Sequence, residues 1–238
     1  MILFDGRAIL LDVEGTTSSI AFVYDVLFTF ARERVGDFLA AHRDDEAIQR
    51  IGREILAEAG DAWRDGNDPA AFVTRSAEAA RELIRRDAKF GPLKALQGHI
   101  WRSGFEDRSL VAHVFDDVPE ALELWSGSGL DVRIYSSGSV EAQKLFFAHT
   151  ARGDLTGHLR GHYDTAVGPK REPESYVRIA ADMALDPRQV LFVSDVGEEL
   201  DAARRAGMQT ALAERPGNRP ATGVFDHAAV TTFADIIT

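Results

Sequence analysis

Three short strand-like runs in the sequence each end in a polar side chain. The runs are residues 8–11, 132–135 and 190–193. Asp12, Ser136 and Asp195 lie at or just beyond their ends, and helical patterns separate the later runs. Strands that alternate with helices predict a parallel sheet covered on both faces. Ligands bind beyond the carboxyl ends of the strands in such sheets, so we expect the three side chains to share one edge.

Between the first two runs the sequence pattern changes. From residue 20 to residue 117 the apolar residues recur at helical spacing, and strand-like runs are almost absent. This pattern predicts an all-helical insertion at residues 20–117, which would form a cap. The α/β core, a Rossmann-like parallel sheet, would then consist of residues 1–19 and 118–238. Within the insertion, residues 65–69 predict a turn, with Asp68 as a helix start.

The composition excludes several classes of function. The 238 residues include no cysteine, which removes disulfides, thiolate metal sites and cysteine nucleophiles. The formal net charge of −11 argues against nucleic acid or an anionic membrane as a partner, because both are bound mainly through Lys and Arg. No apolar run is long enough for a transmembrane helix, and the first residues do not form a secretion signal, so a cytoplasmic location is expected.

Two carboxylates, those of Asp12 and Glu14, follow the first apolar run. Residues two apart in an extended chain project to the same side, so both carboxylates can converge on one point. Gly15 allows a sharp turn and a close approach of the backbone to a ligand. Burial does not explain this pair, whereas a phosphate held by a divalent cation would.

Each acidic group at this edge has a role in the transfer of a phosphoryl group. Asp12 would be the nucleophile, because a carboxylate can form a covalent acyl phosphate. Its other oxygen would bind Mg²⁺ together with Asp195, since Mg²⁺ prefers oxygen ligands. Glu14 would give a proton to the leaving oxygen and later take one from the attacking water, and it would also contact the metal.

Three further residues would supply positive charge and hydrogen-bond donors. Ser136 and Ser137, with backbone N–H groups at the start of the next helix, would contact phosphate oxygens. Lys170 follows a Gly-Pro turn that would fix the direction of its ammonium group, a point charge that suits a phosphate oxygen. Each signal alone is weak, but the order of acidic pair, Ser, Lys and Asp is a combination that chance rarely provides.

Other polar residues are interpreted as structural. For Glu199, four residues after Asp195, there are two interpretations, an acid that supports the site from behind the metal ligands and a helix-start acid favoured by the helix dipole, and the second is preferred. His158 and His162 have a spacing found in metal sites, but no third ligand accompanies them. Trp101 in the insertion is interpreted as a packing anchor.

The motifs around Asp12, Ser136, Lys170 and Asp195 resemble those of the haloacid dehalogenase-like phosphatases, with Glu14 where that superfamily usually carries a second Asp. Longer stretches resemble the enolase-phosphatase (acireductone synthase) family of methionine salvage, and the similarity runs from about residue 8 to residue 218. The stretches are Asp-Val-Glu-Gly-Thr-Thr from residue 12, Leu-Gln-Gly-His-Ile-Trp-Arg from residue 96, Tyr-Ser-Ser-Gly-Ser-Val-Glu-Ala-Gln-Lys-Leu from residue 135 and Gly-Pro-Lys-Arg-Glu-Pro-Glu-Ser-Tyr from residue 168.

The resemblance implies a monomeric enzyme with one Mg²⁺ and a small-molecule substrate. The substrate would be 2,3-diketo-5-methylthiopentyl 1-phosphate, a phosphorylated diketone that is enolised and then dephosphorylated to the acireductone 1,2-dihydroxy-3-keto-5-methylthiopentene. The resemblance also assigns roles to residues. The metal ligands would be Asp12, Glu14 and Asp195, and the substrate-binding residues would be Ser136, Ser137 and Lys170.

Two alternatives stay open. An ordinary phosphatase of the same superfamily that acts on a sugar phosphate would share the core motifs and differ in the cap, where Gln97, His99 and Arg102 would contact the leaving group. A non-catalytic phosphoacceptor module also combines strand-end Asp residues with Ser or Thr and Lys, but in a different order and with no reason to carry a long helical insertion. Mg²⁺-dependent, chelator-sensitive hydrolysis of an aryl phosphate would separate these classes.

Overall fold

The strand that precedes Asp12 lies in the middle of a parallel sheet. A computed structural model of the protein describes residues 1–61, 63, 68–218 and 226–238, and within these residues six strands form the sheet. In their order across the sheet, the strands are β4 (Gly161–Tyr163), β3 (Asp131–Tyr135), β2 (Ala8–Leu11), β5 (Val190–Ser194), β6 (Gln209–Ala213) and β7 (Ala228–Val230). The predicted α/β fold with a parallel sheet is confirmed.

The register of the central strands brings their carboxyl ends together. Leu11 of β2 pairs with Ile134 of β3 on one side and with Val193 of β5 on the other, and both pairings are parallel. The residues that follow the three strands therefore come level at one edge of the sheet, as the sequence predicts. β2 and β5 are buried along their whole lengths, which explains why both consist almost entirely of apolar residues.

Helices cover the sheet. They are α5 (Val118–Gly127), α6 (Val140–Ala148), α7 (Pro173–Asp182) and α8 (Gly197–Arg205). α8 packs on β5 and β6, and α7 packs on α8. Tyr135, Tyr176 and Phe192 meet at ring distances of 5.1–6.5 Å in this part of the core. Burial of each large apolar side chain contributes about 1.5–3 kcal/mol.

The chain divides into two compact units. The first consists of Met1–Phe22 and Val111–Thr238 and contains the sheet, and the second is Val23–Leu110. The boundaries predicted from the sequence, at residues 19/20 and 117/118, differ from these by three and seven residues and stay a prediction. A role of the second unit as a cap stays a prediction.

The second unit is helical. A π-helical segment, Phe22–Phe28, leads into α1 (Thr29–Ala41), and three more helices follow. They are α2 (Glu46–Glu58), α3 (Pro69–Arg85) and α4 (Gly91–Glu106). Asp68 caps α3 by accepting a hydrogen bond from the N–H of Ala70 at 3.0 Å, so the predicted helix start is confirmed. The rest of the predicted turn, residues 65–67, lies outside the described residues.

Some elements differ from the sequence predictions. The spacing of Val23, Leu27, Phe30 and Val35 predicts one helix, but this segment begins with π-helical geometry at Phe22–Phe28, which the spacing does not indicate. The last part of the chain is predicted as a loop with one short helix, but it contains β7 and β8 (Ile236–Ile237), the latter paired in parallel with β1 (Ile2–Leu3). Strands of two or three residues are too short to show a periodicity. Among the described residues, no helix is long and apolar enough to cross a membrane.

Candidate active site

Asp12 lies at the centre of the sheet edge, directly after β2. Its side chain is almost fully buried. Oδ1 accepts a hydrogen bond from the N–H of Val13 at 2.7 Å and lies 2.7 Å from Nζ of Lys170. Oδ2 lies 3.2 Å from the hydroxyl of Ser194, the last residue of β5. The carboxylate is thus held in one orientation by donors from three segments of the chain.

Lys170 reaches Asp12 from a rigid turn. Gly168 has a φ of +146°, and a Cβ at this position would lie 2.2 Å from the hydroxyl of Ser175, so glycine is required there. Three hydroxyl groups donate hydrogen bonds to three successive carbonyls of the turn. The donors are Tyr135 to Gly168 (2.8 Å), Ser175 to Pro169 (2.8 Å) and Tyr176 to Lys170 (2.6 Å). The turn therefore fixes the start of the Lys170 side chain, in line with the expectation for the Gly-Pro pair.

Glu199 is part of this site, although the sequence interpretation treats it as a helix-start acid. It lies in the first turn of α8, but its carboxylate is buried and its Oε2 is 2.6 Å from Nζ of Lys170. The hydroxyl of Ser194 lies 3.1 Å from the same oxygen and 3.2 Å from Asp12. One hydroxyl proton serves one of these acceptors at a time, so Ser194 links the two carboxylates. The sequence contains one signal for this role. Glu199 lies on the helix face whose other residues are apolar, whereas an acid that only interacts with the helix dipole can be exposed.

Glu14 and Ser136 meet across the sheet edge. The hydroxyl of Ser136 donates to Oε2 of Glu14 at 3.2 Å and accepts from the N–H of Gly138 at 3.1 Å. Ser137 follows and is half-buried. The helix start offers fewer free donors than the sequence suggests, because the N–H of Val140 already donates to Asp164 at 3.2 Å. Donors for a phosphate group would therefore come mainly from the two serine residues.

The loop after β2 brings Asp195 close to the backbone of Gly15. Gly15 has a φ of +75°, and a Cβ at this position would lie 2.1 Å from Oδ2 of Asp195. The hydroxyl of Thr16 accepts a hydrogen bond from the N–H of Asp195 at 3.1 Å. The loop and the end of β5 are thus joined, and only a glycine leaves room for the Asp195 carboxylate.

The charges of the site do not balance among its own side chains. Burial, with the nearby charge of Asp12, raises the pKa of Asp195 to about 7 and also raises the pKa of Glu14. Burial and Asp12 likewise raise the pKa of Glu199. Burial alone would lower the pKa of Lys170, but Asp12 and Glu199 outweigh it and raise this pKa. The site therefore has more carboxylates than its ammonium group neutralises.

This donor set fits Mg²⁺. The acidic groups offer oxygen ligands only, and the gap that Gly15 leaves beside Asp195 gives that carboxylate room at the edge. Among the described residues, however, no three Asp, Glu, His or Cys side chains are already grouped as a metal site. Asp12 and Asp195 would hold the ion with water completing the shell, while the side chain of Glu14 is turned towards Ser136.

The two histidines of the sheet unit have other partners, and Gln97, His99 and Trp101 belong to the helical unit. His162 in β4 lies 3.2 Å from the side chain of Gln143, and burial lowers its pKa to about 4, so it is a neutral residue of the sheet. His158 contacts the hydroxyl of Ser126 at 2.9 Å. In the helical unit Gln97 is buried and His99 is exposed. Trp101 stacks on Phe28 and donates to the carbonyl of Leu27 at 2.9 Å, as expected for a packing anchor.

The parallel sheet and the acidic site at its edge define a class of protein. The chain is a haloacid dehalogenase-like hydrolase, because the family model of that description matches residues 7–207. Relatives named enolase-phosphatase E1 are 45% identical in Drosophila mojavensis (91% of this chain and 88% of the relative), 44% in Methylococcus capsulatus (91% and 92%) and 44% in Pseudomonas aeruginosa (97% and 98%). The chain therefore belongs to the enolase-phosphatase E1 family.

Solved structures share the fold of this chain. The UTR4 protein (unknown transcript 4) of Saccharomyces cerevisiae is 31% identical and superimposes with a TM-score of 0.78, over 95% of this chain and 97% of that chain. A dehalogenase at 20% identity, with a TM-score of 0.56 over 97% and 95% of the two chains, shares the fold. The resemblance drawn from the motifs is confirmed, and the chain is an enzyme. The alternative of a non-catalytic phosphoacceptor module is therefore rejected.

Proposed function

We propose that the protein is a Mg²⁺-dependent enolase-phosphatase that acts on 2,3-diketo-5-methylthiopentyl 1-phosphate in methionine salvage. The products would be the acireductone 1,2-dihydroxy-3-keto-5-methylthiopentene and phosphate. The observation that carries the proposal is the buried Asp12, paired with Lys170 at 2.7 Å on the same sheet edge as Glu14 and Asp195. The enolase-phosphatase E1 relatives support the choice of substrate.

Asp12 would act as the nucleophile in the phosphatase half. A carboxylate oxygen of Asp12 attacks phosphorus, a bond forms between them, and the bond from phosphorus to the substrate oxygen breaks. The departing oxygen takes a proton from Glu14. A water molecule then attacks the phosphorus of the aspartyl phosphate, gives a proton back to Glu14 and releases phosphate from Asp12. The hydrogen bonds from Val13 and Ser194 keep the Asp12 carboxylate in position for both attacks.

Lys170, Ser136 and Ser137 would bind the phosphate group. The Lys170 ammonium would neutralise one phosphate oxygen while it stays fixed by Glu199 at 2.6 Å. Ser136 would exchange its hydrogen bond to Glu14 for one to the phosphate, which frees Glu14 for proton transfer. When bound to Asp12 and Asp195, Mg²⁺ would supply the positive charge that offsets the repulsion between a carboxylate and a phosphate dianion.

Glu14 is also our candidate for the base of the enolase half. The environment that raises its pKa makes the ionised carboxylate a stronger base than a solvated one. It would remove the carbon-bound proton next to the substrate carbonyl and pass this proton to the carbonyl oxygen, which gives the enol. Glu14 would then take up a proton from solvent, and this second proton would serve the leaving oxygen. Gln97, His99 and Arg102 of the helical unit stay the predicted residues for selection of the leaving group, and we expect a monomer with no nucleic-acid or membrane partner.

Hydrolysis assays with paired substrates test this proposal. The wild-type enzyme is expected to release phosphate from the diketo phosphate with a kcat/KM at least 100-fold above that for a sugar phosphate such as glucose 6-phosphate. EDTA should abolish the activity, and added Mg²⁺ should restore it. Equal rates on the two substrates would instead favour the generic phosphatase, and chelator-resistant turnover would contradict the metal requirement.

A further inference from the structure

Asn218 contacts the middle and the end of the loop that carries Glu14. The loop follows Asp12, and we call residues 12–20 the nucleophile loop. The side-chain Nδ2 of Asn218 donates to the carbonyl of Gly15 at 2.9 Å, and its Oδ1 accepts from the N–H of Ile20 at 3.4 Å. One contact needs a donor and the other an acceptor, so among polar side chains of this size only a carboxamide satisfies both.

The Gly15 carbonyl is one of several points at which the loop is held from outside. Elsewhere, the carbonyl of Thr17 accepts from the N–H of Phe115 at 3.0 Å, and Nδ1 of His113 lies 3.3 Å from the hydroxyl of Ser18. Inside the loop, the carbonyl of Val13 accepts from the N–H groups of Thr16 and Thr17, and the carbonyl of Ser18 accepts from that of Gly15. Thr16 follows the peptide between Gly15 and Thr16, and its hydroxyl accepts a hydrogen bond from the N–H of Asp195 at 3.1 Å. Rotation of this peptide would therefore shift Glu14 on one side and the Asp195 contact on the other.

A buried arginine anchors Asn218. The backbone N–H of Asn218 donates to the carbonyl of Arg215 at 3.2 Å, which closes a turn at residues 215–218. The Arg215 side chain is 1% exposed, and its guanidinium lies between the rings of Phe115 at 4.3 Å and Phe233 at 4.8 Å. It forms a two-point ion pair with Asp117, one contact of which is 2.8 Å. Only Nε of this guanidinium lacks a partner among the described residues.

The ion pair between Arg215 and Asp117 also restricts the movement of the Arg215 side chain. Burial opposes the ionisation of Asp117, but the hydrogen bonds from Arg215 and from the N–H of Phe233 outweigh it and lower the pKa of Asp117. The hydroxyl of Thr232 donates to the same carboxylate at 2.8 Å. A planar, bidentate pair enclosed by two aromatic rings allows little movement. The turn that carries Asn218 is therefore fixed to the core and not only to the loop.

We propose that Asn218 is a positioning residue for the phosphoryl-transfer site, and that this role rests on the proposed function of Asp12. Asn218 holds the peptide between Gly15 and Thr16 in one orientation, and this peptide sets the distance between Glu14, Asp12 and Asp195. Loss of the carboxamide releases the loop at the Gly15 carbonyl, while the bonds of Asp12 to Lys170 and Ser194 remain.

The test compares Asn218→Asp and Asn218→Ala with the wild type. Asp is isosteric and keeps the acceptor for Ile20, but it places an oxygen against the Gly15 carbonyl. Glu214→Gln exchanges a carboxylate for an amide at an exposed neighbouring position, and Ile236→Ala lowers the stability of the core without contact to the loop. Kinetics with the Mg²⁺-loaded enzyme and hydrogen exchange of the backbone amides, measured without substrate, are compared across the four variants.

We expect kcat to fall roughly 10- to 100-fold in both Asn218 variants, because displacements of about 1 Å have effects of this size. KM should stay within about threefold of the wild-type value, since Lys170 and Ser136 remain in place. The amides of residues 15–18 should exchange at least about fivefold faster, as follows from the loss of about 1 kcal/mol, while β3 should be unchanged. Glu214→Gln should behave as the wild type.

Three results would overturn the inference. They are a kcat within twofold of the wild type in both Asn218 variants, unchanged exchange at residues 15–18, and an equal loss of kcat in Ile236→Ala at the same loss of stability. If the wild type released no phosphate from the diketo phosphate, the proposed function would fail instead. The exchange measurement would still decide whether Asn218 orders the loop.

Discussion

Lys170 lies between two buried carboxylates, and this arrangement predicts that Glu199 orients the Lys170 ammonium. The ammonium is 2.7 Å from Asp12 and 2.6 Å from Glu199. A buried ion pair is weak evidence for stability, because the loss of solvation offsets most of the attraction. Its clearer effect is on orientation, since Lys170 cannot turn away from Asp12 without breaking the contact with Glu199.

Replacement of Glu199 tests this orienting effect. Glu199→Gln keeps the size of the side chain and its hydrogen bond to Ser194 but removes the charge beside Lys170. We expect kcat for phosphate release to fall about tenfold and the free energy of unfolding to fall by about 1–3 kcal/mol. Urea denaturation and phosphate-release kinetics measure the two effects. Glu198→Gln is the matched control, because Glu198 is exposed on the same turn and should change neither quantity; wild-type kinetics in Glu199→Gln would rule out the orienting role.

Glu14 has two proposed roles, and one substitution tests both. Glu14→Gln retains the acceptor for Ser136 but cannot accept or give a proton, so enolisation and phosphate release should each slow by at least about 100-fold. Exchange of the substrate's carbon-bound proton with deuterated solvent reports enolisation, and a phosphate assay reports the second step. Glu141→Gln, at an exposed position on α6, is the control. If proton exchange persisted in Glu14→Gln, another group would have to be the base.

At the scale of elements, the loop after β2 determines the geometry of the site. It turns at Gly15, where a positive φ and the nearness of Asp195 both exclude a side chain. Gly15→Ala is expected to displace Asp195, to weaken Mg²⁺ binding at least about tenfold and to lower kcat by a similar factor. Gly129→Ala has the same type of φ, +87°, but a Cβ there has no neighbour within 4 Å.

The comparison of these two variants separates the effect of backbone strain from the effect of a displaced Asp195 carboxylate. Both replace a glycine in the left-handed region, which costs about 1–2 kcal/mol in either loop. Only Gly15→Ala should alter Mg²⁺ affinity, measured by calorimetry, and activity. Equal effects of the two substitutions would mean that backbone strain, and not the space beside Asp195, explains the need for Gly15.

The lengths and burial of the elements explain which parts of the fold can be predicted from the sequence. Strand ends could be predicted because β2 and β5 are buried on both faces and so appear as apolar runs that stop at Asp12 and Ser194. The short β7 and β8 and the π-helical segment carry no such pattern. Glu199 and Asn218 were not assigned to the site, because their roles depend on which distant groups they meet. Asn218 contacts Gly15, and a separation of 203 residues gives no local signal.

For the whole molecule, the net charge of −11 and the acidic site predict that the proposed Mg²⁺ would add to the stability of the protein. The pKa of Asp195 is raised from its usual 3.8 to about 7 without a metal. A raised pKa means that the folded state binds a proton more tightly than the unfolded state. The stability that Asp195 contributes is therefore complete below pH 4 and is lost as the pH rises towards 7. Mg²⁺ competes with that proton and should restore stability mainly at neutral pH.

Thermal unfolding with and without Mg²⁺ measures this linkage. At about 100 times its dissociation constant, Mg²⁺ should add about 2.7 kcal/mol at pH 7.5, or roughly 5–10 °C in Tm. At pH 5 the rise should be much smaller, because a proton occupies the Asp195 carboxylate, and Asp195→Asn should remove the rise at both pH values. An equal rise at pH 5 and pH 7.5, or one that survives in Asp195→Asn, would show that the ion binds elsewhere.

We propose that one site enolises a diketo phosphate and then transfers its phosphoryl group to Asp12. To test both steps, wild type and Asp12→Asn are incubated with 2,3-diketo-5-methylthiopentyl 1-phosphate and Mg²⁺, and enol absorbance and released phosphate are followed separately. We predict that the wild type gives both signals, with the enol first, and that folded Asp12→Asn releases phosphate at least about 1000-fold more slowly. Unimpaired phosphate release in Asp12→Asn, or release by the wild type without an enol signal, would contradict the account.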